Sequence, residues 1–280
     1  MTIVRCFNLI PGYNTSMSAP PLRKILTGLP ISEIHYLSET GSTNEDALQW
    51  ALKDAPEGAL VVADSQTCGR GRFERQWITL PGSALAFSLI LKPTPQEIEH
   101  LTFFSPLGAL AVSQSLIKLG APDVKVKWPN DVLIKGRKVC GVLAESYWQE
   151  DQLTALVVGI GVNVGIGSVP PVETLIFPAT CIEAEIGRGV DRWLLFREIL
   201  AALFDLRKKL PSPEFIKLWQ KMLTFIGEEI SIERLNGKSS QGKFLGINAQ
   251  GELLLQDENG TEEVFAIGDF SLRPRTHKFK

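Results

Sequence analysis

Histidine, cysteine and long apolar runs are what this 280-residue chain is short of. Its three histidines, His35, His100 and His277, stand far apart in the sequence, so a histidine-based metal centre or catalytic triad is not expected. Cys6, Cys68, Cys140 and Cys181 show no C-x-x-C spacing and read as reduced thiols of a cytoplasmic protein. No apolar run reaches the length of a membrane span, and the first residues lack the apolar core of a secretory signal. Residues 1–30 read as a loosely ordered leader, with Met17 a second candidate for the start. Excess charge is missing as well. The net charge is −2, so the surface as a whole is not built to bind a polyanion. Internal repeats and low-complexity runs are also lacking.

What is present is a globular composition, 44% hydrophobic and 21% charged, long enough for one large domain and a small one. Ile31–Leu37 reads as a strand. After it, Ser42 and Thr43, with Glu45 and Asp46 three residues on from each, mark a helix N-terminus in which a hydroxyl caps backbone N–H groups. Leu60–Ala63 and Ala84–Leu91 are apolar strands, and Leu101–Leu119 is a buried helix that Gly120 closes. Val124–Trp128, Val132–Ile134, Val139–Ala144 and Leu153–Val164 read as strands linked mostly by short turns. Helices are expected over Arg192–Leu210 and Pro213–Leu223. After Gly227 short strands alternate with Asn-Gly-Lys and Glu-Asn-Gly turns, the signature of a small β-barrel.

One stretch stands out chemically. Thr67–Trp77 alternates Gly69, Arg70, Gly71 and Arg72. Glycine lets a ligand approach backbone N–H groups closely. Arginine pairs with a phosphate or carboxylate through two N–H groups at once. In a chain of balanced charge, such a local basic loop suits one small anionic ligand.

Four motifs then occur in order: SETGSTNEDA, TCGRGRFERQW, VKWPNDVLIKGRKVCGVLAE and GIGVNV. Together they resemble the biotin protein ligase family, from about Ile34 to the C-terminus. The Gly-Arg-Gly-Arg and Lys-Trp-Pro-Asn-Asp pieces are the most specific. The resemblance implies an α+β fold. A central mixed sheet like that of class II aminoacyl-tRNA synthetases, with helices on one side, would fill residues 31–226. An SH3-like barrel would fill residues 227–280.

It also implies a reaction in two steps. Biotin's carboxylate attacks the α-phosphate of ATP, with Mg²⁺ assisting, to give biotinyl-5′-AMP and pyrophosphate. The biotinyl group then passes to one lysine of the biotin carboxyl carrier domain of acetyl-CoA carboxylase. Carried over residue by residue, biotin contacts fall on Ser42, Thr43, Asn44, Gln66, Arg70, Gly71, Arg72 and Lys138. The nucleotide side takes Arg70, Arg72, Trp77, Asn130, Lys138 and Asn163. Arg72 and Lys138 carry the catalytic charge, and no dedicated metal ligands are expected beyond the ATP phosphates. Trp77 is expected to cover adenine, Lys127 to be a strand-face charge and Trp128 to be core.

The resemblance allows a homodimer, although no motif reports one. Too few residues precede the catalytic part for the helix-turn-helix of some relatives, so neither DNA nor a membrane is expected as a partner. A lipoate or octanoate ligase or transferase is the enzyme alternative, and a biotin-sensing module the non-enzyme one. The complete arginine–glycine and Lys-Trp-Pro-Asn-Asp pair speaks against the first. Lys138 speaks against the second, because simple binding needs no charge at a phosphate.

The chain departs from the family pattern at Glu74, where glycine is common. An acid among arginines weakens the positive field of the loop and stiffens it. Glu74→Gly is expected to slow dissociation of the adenylate, measured as its off-rate; an unchanged or faster rate would reject this.

Overall fold

A computed structural model describes residues 21–72, 76–79, 81–175, 177–234, 239–268 and 270–274. Glu74 and Met17 lie outside them, as do residues 1–20 of the expected leader. The remainder of that leader is not loose. Leu22–Ile25 forms a short helix, α1, and Leu22 and Leu26 are buried in the core. Arg197 fastens this segment by donating to the carbonyls of Ile25 at 2.7 Å and Thr27 at 2.9 Å. The apolar spacing of Leu22 and Leu26 supplies the reason: two leucines one helical turn apart seat on the core together.

The elements then follow as β1 (Ile34–Thr40), α2 (Thr43–Ala51), β2 (Leu60–Arg70), β3 (Gln76–Thr79), β4 (Ala84–Leu91), α3 (Pro95–Ile98) and α4 (Phe104–Lys118). A hairpin and two long strands come next: β5 (Val124–Lys127), β6 (Asp131–Ile134), β7 (Arg137–Gln149) and β8 (Gln152–Asn163). Helices α5 (Ile182–Ile186), α6 (Arg192–Arg207) and α7 (Pro213–Met222) lead to the C-terminal strands. These are β9 (Glu229–Arg234), β10 (Ser239–Ile247), β11 (Leu253–Gln256), β12 (Glu262–Phe265) and β13 (Phe270–Pro274).

Two sheets result. The larger runs β1-β2-β4-β8-β7-β6-β5, with β3 paired to β2. Only β1 and β2 are parallel among its pairs, so the sheet is mixed. The smaller is antiparallel, ordered β12-β11-β10-β9-β13, and matches the expected SH3-like unit.

Helices cover both faces of the large sheet rather than one. On the first face Leu85, Phe87, Leu89, Val158, Ile160 and Val162 pack with residues of α4 and α6 in the main core. On the second, α2 lays Ala47 and Ala51 against Val61, Ile90, Ala155 and Val157. Strand alternation puts these two sets on opposite faces of the same strands. β4 is buried at every position because both of its faces are covered. Helix α2 packs on the second face through alanines, whose small side chains allow a close approach.

Two expectations change locally. Ser42 stands at the N-cap of α2 in extended conformation, but its hydroxyl makes no capping bond. The Gln66 side-chain carbonyl from β2 accepts the Thr43 N–H instead, at 2.9 Å. The glycine–arginine stretch also begins as strand, not loop. β2 continues to Arg70 and pairs with β3, Gly69 opposite Trp77 and Arg70 opposite Gln76. It is a β-arm whose pairing shifts register between Gln66 and Gly69. Among the described residues no helix is long and apolar enough to cross a membrane.

Trp128 joins the two sheets. It is buried, and its Nε1 donates to the Gly251 carbonyl at 3.0 Å. Trp128→Phe keeps one aromatic ring but loses the indole N–H, which strands that carbonyl, and leaves a buried cavity, at a cost of at least about 1–3 kcal/mol. Urea unfolding should show the midpoint falling accordingly, and an unmoved midpoint would mean the contact contributes nothing.

Candidate active site

The second face of the sheet opens into a cavity of about 510 Å³ beyond the N-terminus of α2. Its floor is made by missing side chains. Along β8 the residues facing α2 run Ala155, Val157, Gly159, Gly161. In the adjacent β7, Gly141 lies directly opposite Gly161 and Leu143 opposite Gly159. Neither β8 glycine has room for a side chain. A Cβ on Gly159 would fall 1.9 Å from Asn44 Oδ1, and one on Gly161 would fall 2.4 Å from the Trp77 ring.

Trp77, expected on the nucleotide side, rests on this floor. Its ring lies over Gly161 and is 3.3 Å from where a Gly141 Cβ would sit. The indole Nε1 is buried with no hydrogen-bond partner. The β2–β3 arm thus carries an aromatic wall into the cavity.

One end of the cavity is a neutral polar cluster. Thr43 Oγ1 donates to Gln66 Oε1 at 3.1 Å. Asn44 Nδ2 donates to Glu145 Oε2 at 2.8 Å and to the Leu143 carbonyl at 3.3 Å. Ser88 Oγ donates to Asn44 Oδ1 at 2.6 Å and stands 2.9 Å from Thr43 Oγ1. Ser42, Thr43 and Asn44 are all buried. Their donors and acceptors are therefore held in fixed positions before any ligand arrives. Sequence reasoning missed Ser88 and Glu145. The signal for Ser88 was a lone hydroxyl in the otherwise apolar Ala84–Leu91.

Arg70 is turned toward this end. Its guanidinium pairs with Glu45 at 3.2 Å and Glu145 at 2.7 Å, half exposed to water. Such a pair adds little stability. It does fix the arm against α2 and β7. Gly71 lines the cavity beside it.

The other end is cationic. Lys138 Nζ binds Asp131 Oδ1 at 2.6 Å, and Lys127 Nζ reaches Asp131 Oδ2 at 3.4 Å. The turn at Trp128-Pro129-Asn130 puts Lys127 directly opposite Asp131 across the β5–β6 hairpin. Lys127 is thus no strand-face charge: it is buried and lines the cavity. Alternation alone does not reveal this, because the covering segment around Phe177 is remote in sequence. Trp128, by contrast, is core as expected.

Asn130 Nδ2 donates to the Val142 carbonyl at 2.5 Å, and its Oδ1 accepts from Arg72 Nη1 at 3.4 Å. Arg72 Nη2 also donates to the carbonyl of Gly268, in the connection between β12 and β13 of the small sheet. Asn163 Nδ2 donates to the Thr180 carbonyl at 3.0 Å. The same short segment brackets Lys138, whose N–H donates to Pro178 at 2.7 Å and whose carbonyl accepts from Thr180 at 2.9 Å. Arg72 and Lys138 therefore face one cavity, linked through Asn130 and Asp131. Among the described residues Cys140 and Cys181 are buried free thiols. Burial pushes the Cys140 thiol well above its ordinary range, so it is unreactive.

Burial alone would raise the Asp131 carboxyl, but Lys138 and then Lys127, with their hydrogen bonds, outweigh it and hold it at about 2. A depressed folded value means stability that is present above the unfolded value of about 3.9 and lost as pH falls toward 2. Asp131→Asn is expected to lower stability at neutral pH and to flatten its fall between about pH 4 and 2. Denaturant midpoints of both chains across that range check this, and parallel curves would contradict it.

Comparison with known proteins agrees with this geometry. Residues 37–163 match the model of the biotin/lipoate A/B protein ligase family, and residues 225–273 that of the biotin protein ligase C-terminal domain. The "Bifunctional ligase/repressor BirA" of Bacillus spizizenii is 36% identical over 82% of this chain and 71% of its own length. The biotin–[acetyl-CoA-carboxylase] ligase of Paracoccus denitrificans is 33% identical over 84% of this chain and 98% of its own. A structure of biotin protein ligase from Aquifex aeolicus, in complex with biotin and ATP, superimposes with a TM-score of 0.75 at 33% identity. It covers 87% of this chain and 100% of that one. With a glycine-floored cavity, a polar cluster at one end and paired lysines at the other, the chain belongs to the biotin protein ligase family of enzymes.

Proposed function

We propose that this ligase activates biotin with ATP as biotinyl-5′-AMP and then transfers it to a lysine of the biotin carboxyl carrier protein of acetyl-CoA carboxylase. The observation that carries the reading is the convergence of Arg72 and Lys138 on one end of a cavity whose other end is neutral and polar. Biotin has the matching asymmetry: a ureido ring on an apolar bicycle, and a carboxylate at the far end of its chain.

The ureido group is assigned to Ser42, Thr43, Asn44 and Gln66. Their oxygens and amide hydrogens complement a cyclic urea. The bicycle lies on Gly141, Gly159 and Gly161 against Trp77, where the absent side chains leave space and the indole supplies an apolar wall. This gives Trp77 a place over biotin in addition to the nucleotide side. Gly71 and the Arg70 backbone line the approach, while the Arg70 guanidinium holds the arm down through Glu45 and Glu145.

The carboxylate then points to Lys138. Attack on the α-phosphate brings two anions into bonding distance, and the enzyme's task is positioning and positive charge. Arg72 and Lys138 supply the charge. Asn130 and Asn163 lie beside them with amide oxygens. Those oxygens suit one or two ligands to a Mg²⁺ that keeps most of its bonds to phosphate and water. Bound so, the ion would neutralise phosphate charge. Among the described residues no group of three or more His, Cys, Asp or Glu side chains is placed to hold a metal by itself.

The mixed anhydride must be kept from water until the carrier lysine arrives. The β2–β3 arm, tied to α2 by Arg70 and to the small sheet by Arg72, is the element suited to cover it. We assign residues 31–226 to this catalytic unit and 227–280 to the barrel that supports it. We place the enzyme in the cytoplasm, where carboxylase and ATP are both at hand.

Biotin-dependent ATP–pyrophosphate exchange tests the first step, and transfer of labelled biotin to a carrier domain tests the second. Lys138→Ala and Arg72→Ala are each expected to slow exchange by about 10²–10³-fold. Exchange driven by lipoate instead of biotin would turn the reading to a lipoate ligase. Tight biotin binding with no exchange would turn it to a biotin-sensing module.

A further inference from the structure

Glu145 stands at the polar end of the cavity with no task assigned so far beyond holding Arg70. Both of its carboxylate oxygens are in use. Oε1 accepts from Arg70 Nη2 at 2.7 Å, and Oε2 accepts from Asn44 Nδ2 at 2.8 Å. A carboxylate only accepts, so the end of the Asn44 amide that faces it is the nitrogen. The second hydrogen of that nitrogen goes to the Leu143 carbonyl at 3.3 Å, again an acceptor only. The two ends of an asparagine amide are nearly equal in size, and its hydrogen-bond partners alone decide which way round it lies. Here they leave one arrangement.

The consequence falls on the other end of the amide. Asn44 Oδ1 is turned to the glycine floor, 1.9 Å from where a Gly159 Cβ would be. Ser88, fully buried in β4, donates its hydroxyl to the same oxygen at 2.6 Å. An amide oxygen has two acceptor sites. Ser88 fills one, which leaves the second for a ligand in the cavity that Asn44 and Gly159 line.

We propose that Glu145 is a positioning residue that sets the polarity of the biotin end. By holding the Asn44 amide one way round, it makes Oδ1 an acceptor for a ureido N–H, and the site selects acids that bring a donor to that point. This role deepens the ureido assignment made above and rests on it. Lipoate ends in a dithiolane ring with no N–H, so it would leave the buried oxygen short of a partner. A site built around such a bond rejects the analogue that lacks the donor far more strongly than fit alone would.

Glu145→Gln tests this, because a carboxamide has one oxygen where two donors need one each. The Arg70 guanidinium carries donors only and always keeps its charge. The new oxygen therefore stays with Arg70, the new amine meets Asn44, and the Asn44 amide turns over to present Nδ2 to the floor. Titration calorimetry with biotin alone should show binding about 10–100-fold weaker than wild type. In biotin-dependent ATP–pyrophosphate exchange the loss should appear in KM, with kcat at saturating biotin within about threefold of wild type. Biotin methylated at one ureido nitrogen or the other reads the polarity itself. Methylation at the nitrogen that meets Asn44 weakens binding to wild type, and in the variant that penalty should shrink about tenfold. Unchanged affinity for biotin, a loss confined to kcat, or methylation penalties equal in the two chains at both nitrogens would each overturn the proposal. Glu145→Ala, which frees the amide instead of reversing it, gives the same comparison with a smaller change should Glu145→Gln not fold. A wild-type chain that binds no biotin removes the ureido assignment, and this role with it; a wild type that binds biotin beside a variant that binds it equally well removes this role alone.

Discussion

The site exists because two neighbouring strands carry no side chains where they pass the start of α2. Gly141 and Gly161 face each other across β7 and β8, and Gly159 lies two residues away on the same face. Elsewhere this face is filled by the alanines of α2 against Val61, Ile90 and Val157. The packing that closes the sheet under the helix gives way, within two residues along β8, to a floor of bare backbone. Any side chain at Gly159 would collide with Asn44. The polar cluster and the floor are therefore set at one distance from each other by steric contact as well as by hydrogen bonds.

From that floor the rest of the arrangement follows. The arm lays Trp77 across it, and Arg70 and Arg72 moor the arm at its two sides. The β5–β6 hairpin brings Lys127 and Asp131 to its far end by cross-strand pairing, and β7 adds Lys138. Most anchoring residues come from a sheet strand or from the first turn of a helix, while Arg72 follows β2 and Asn130 sits in the β5–β6 turn. Strands and helices hold side chains more closely than loops do. Asp131 has a particular part in this. It is an anion in a cavity assigned to bind anions, and its purpose there is to fix two cations that would otherwise repel each other.

Much of this was legible in the residues. Apolar period and turn residues located β4, α4, β8 and the strands β9 to β12, because their burial is encoded along the chain itself, while β13 was not foreseen. The motif order marked Ser42, Thr43, Asn44, Gln66, Arg72 and Lys138, which the fold brings to one cavity. What escaped was whatever depends on a remote partner. The role of Ser88 needs Asn44 from α2, and the burial of Lys127 needs Phe177. The cap of α2 comes from Gln66 on a different strand, so the local hydroxyl–acid spacing named the right start for a wrong reason. The arm read as a loop because glycine is a poor strand former, yet pairing with β3 holds it.

The bond from Arg72 to the small sheet ends on a main-chain oxygen, that of Gly268. A carbonyl is the same group at every position of every chain. At this bond the barrel meets the arm through its backbone path. Its surface residues can diverge, or be exchanged for those of another barrel, without severing that bond, provided the fold carries an oxygen to the same point.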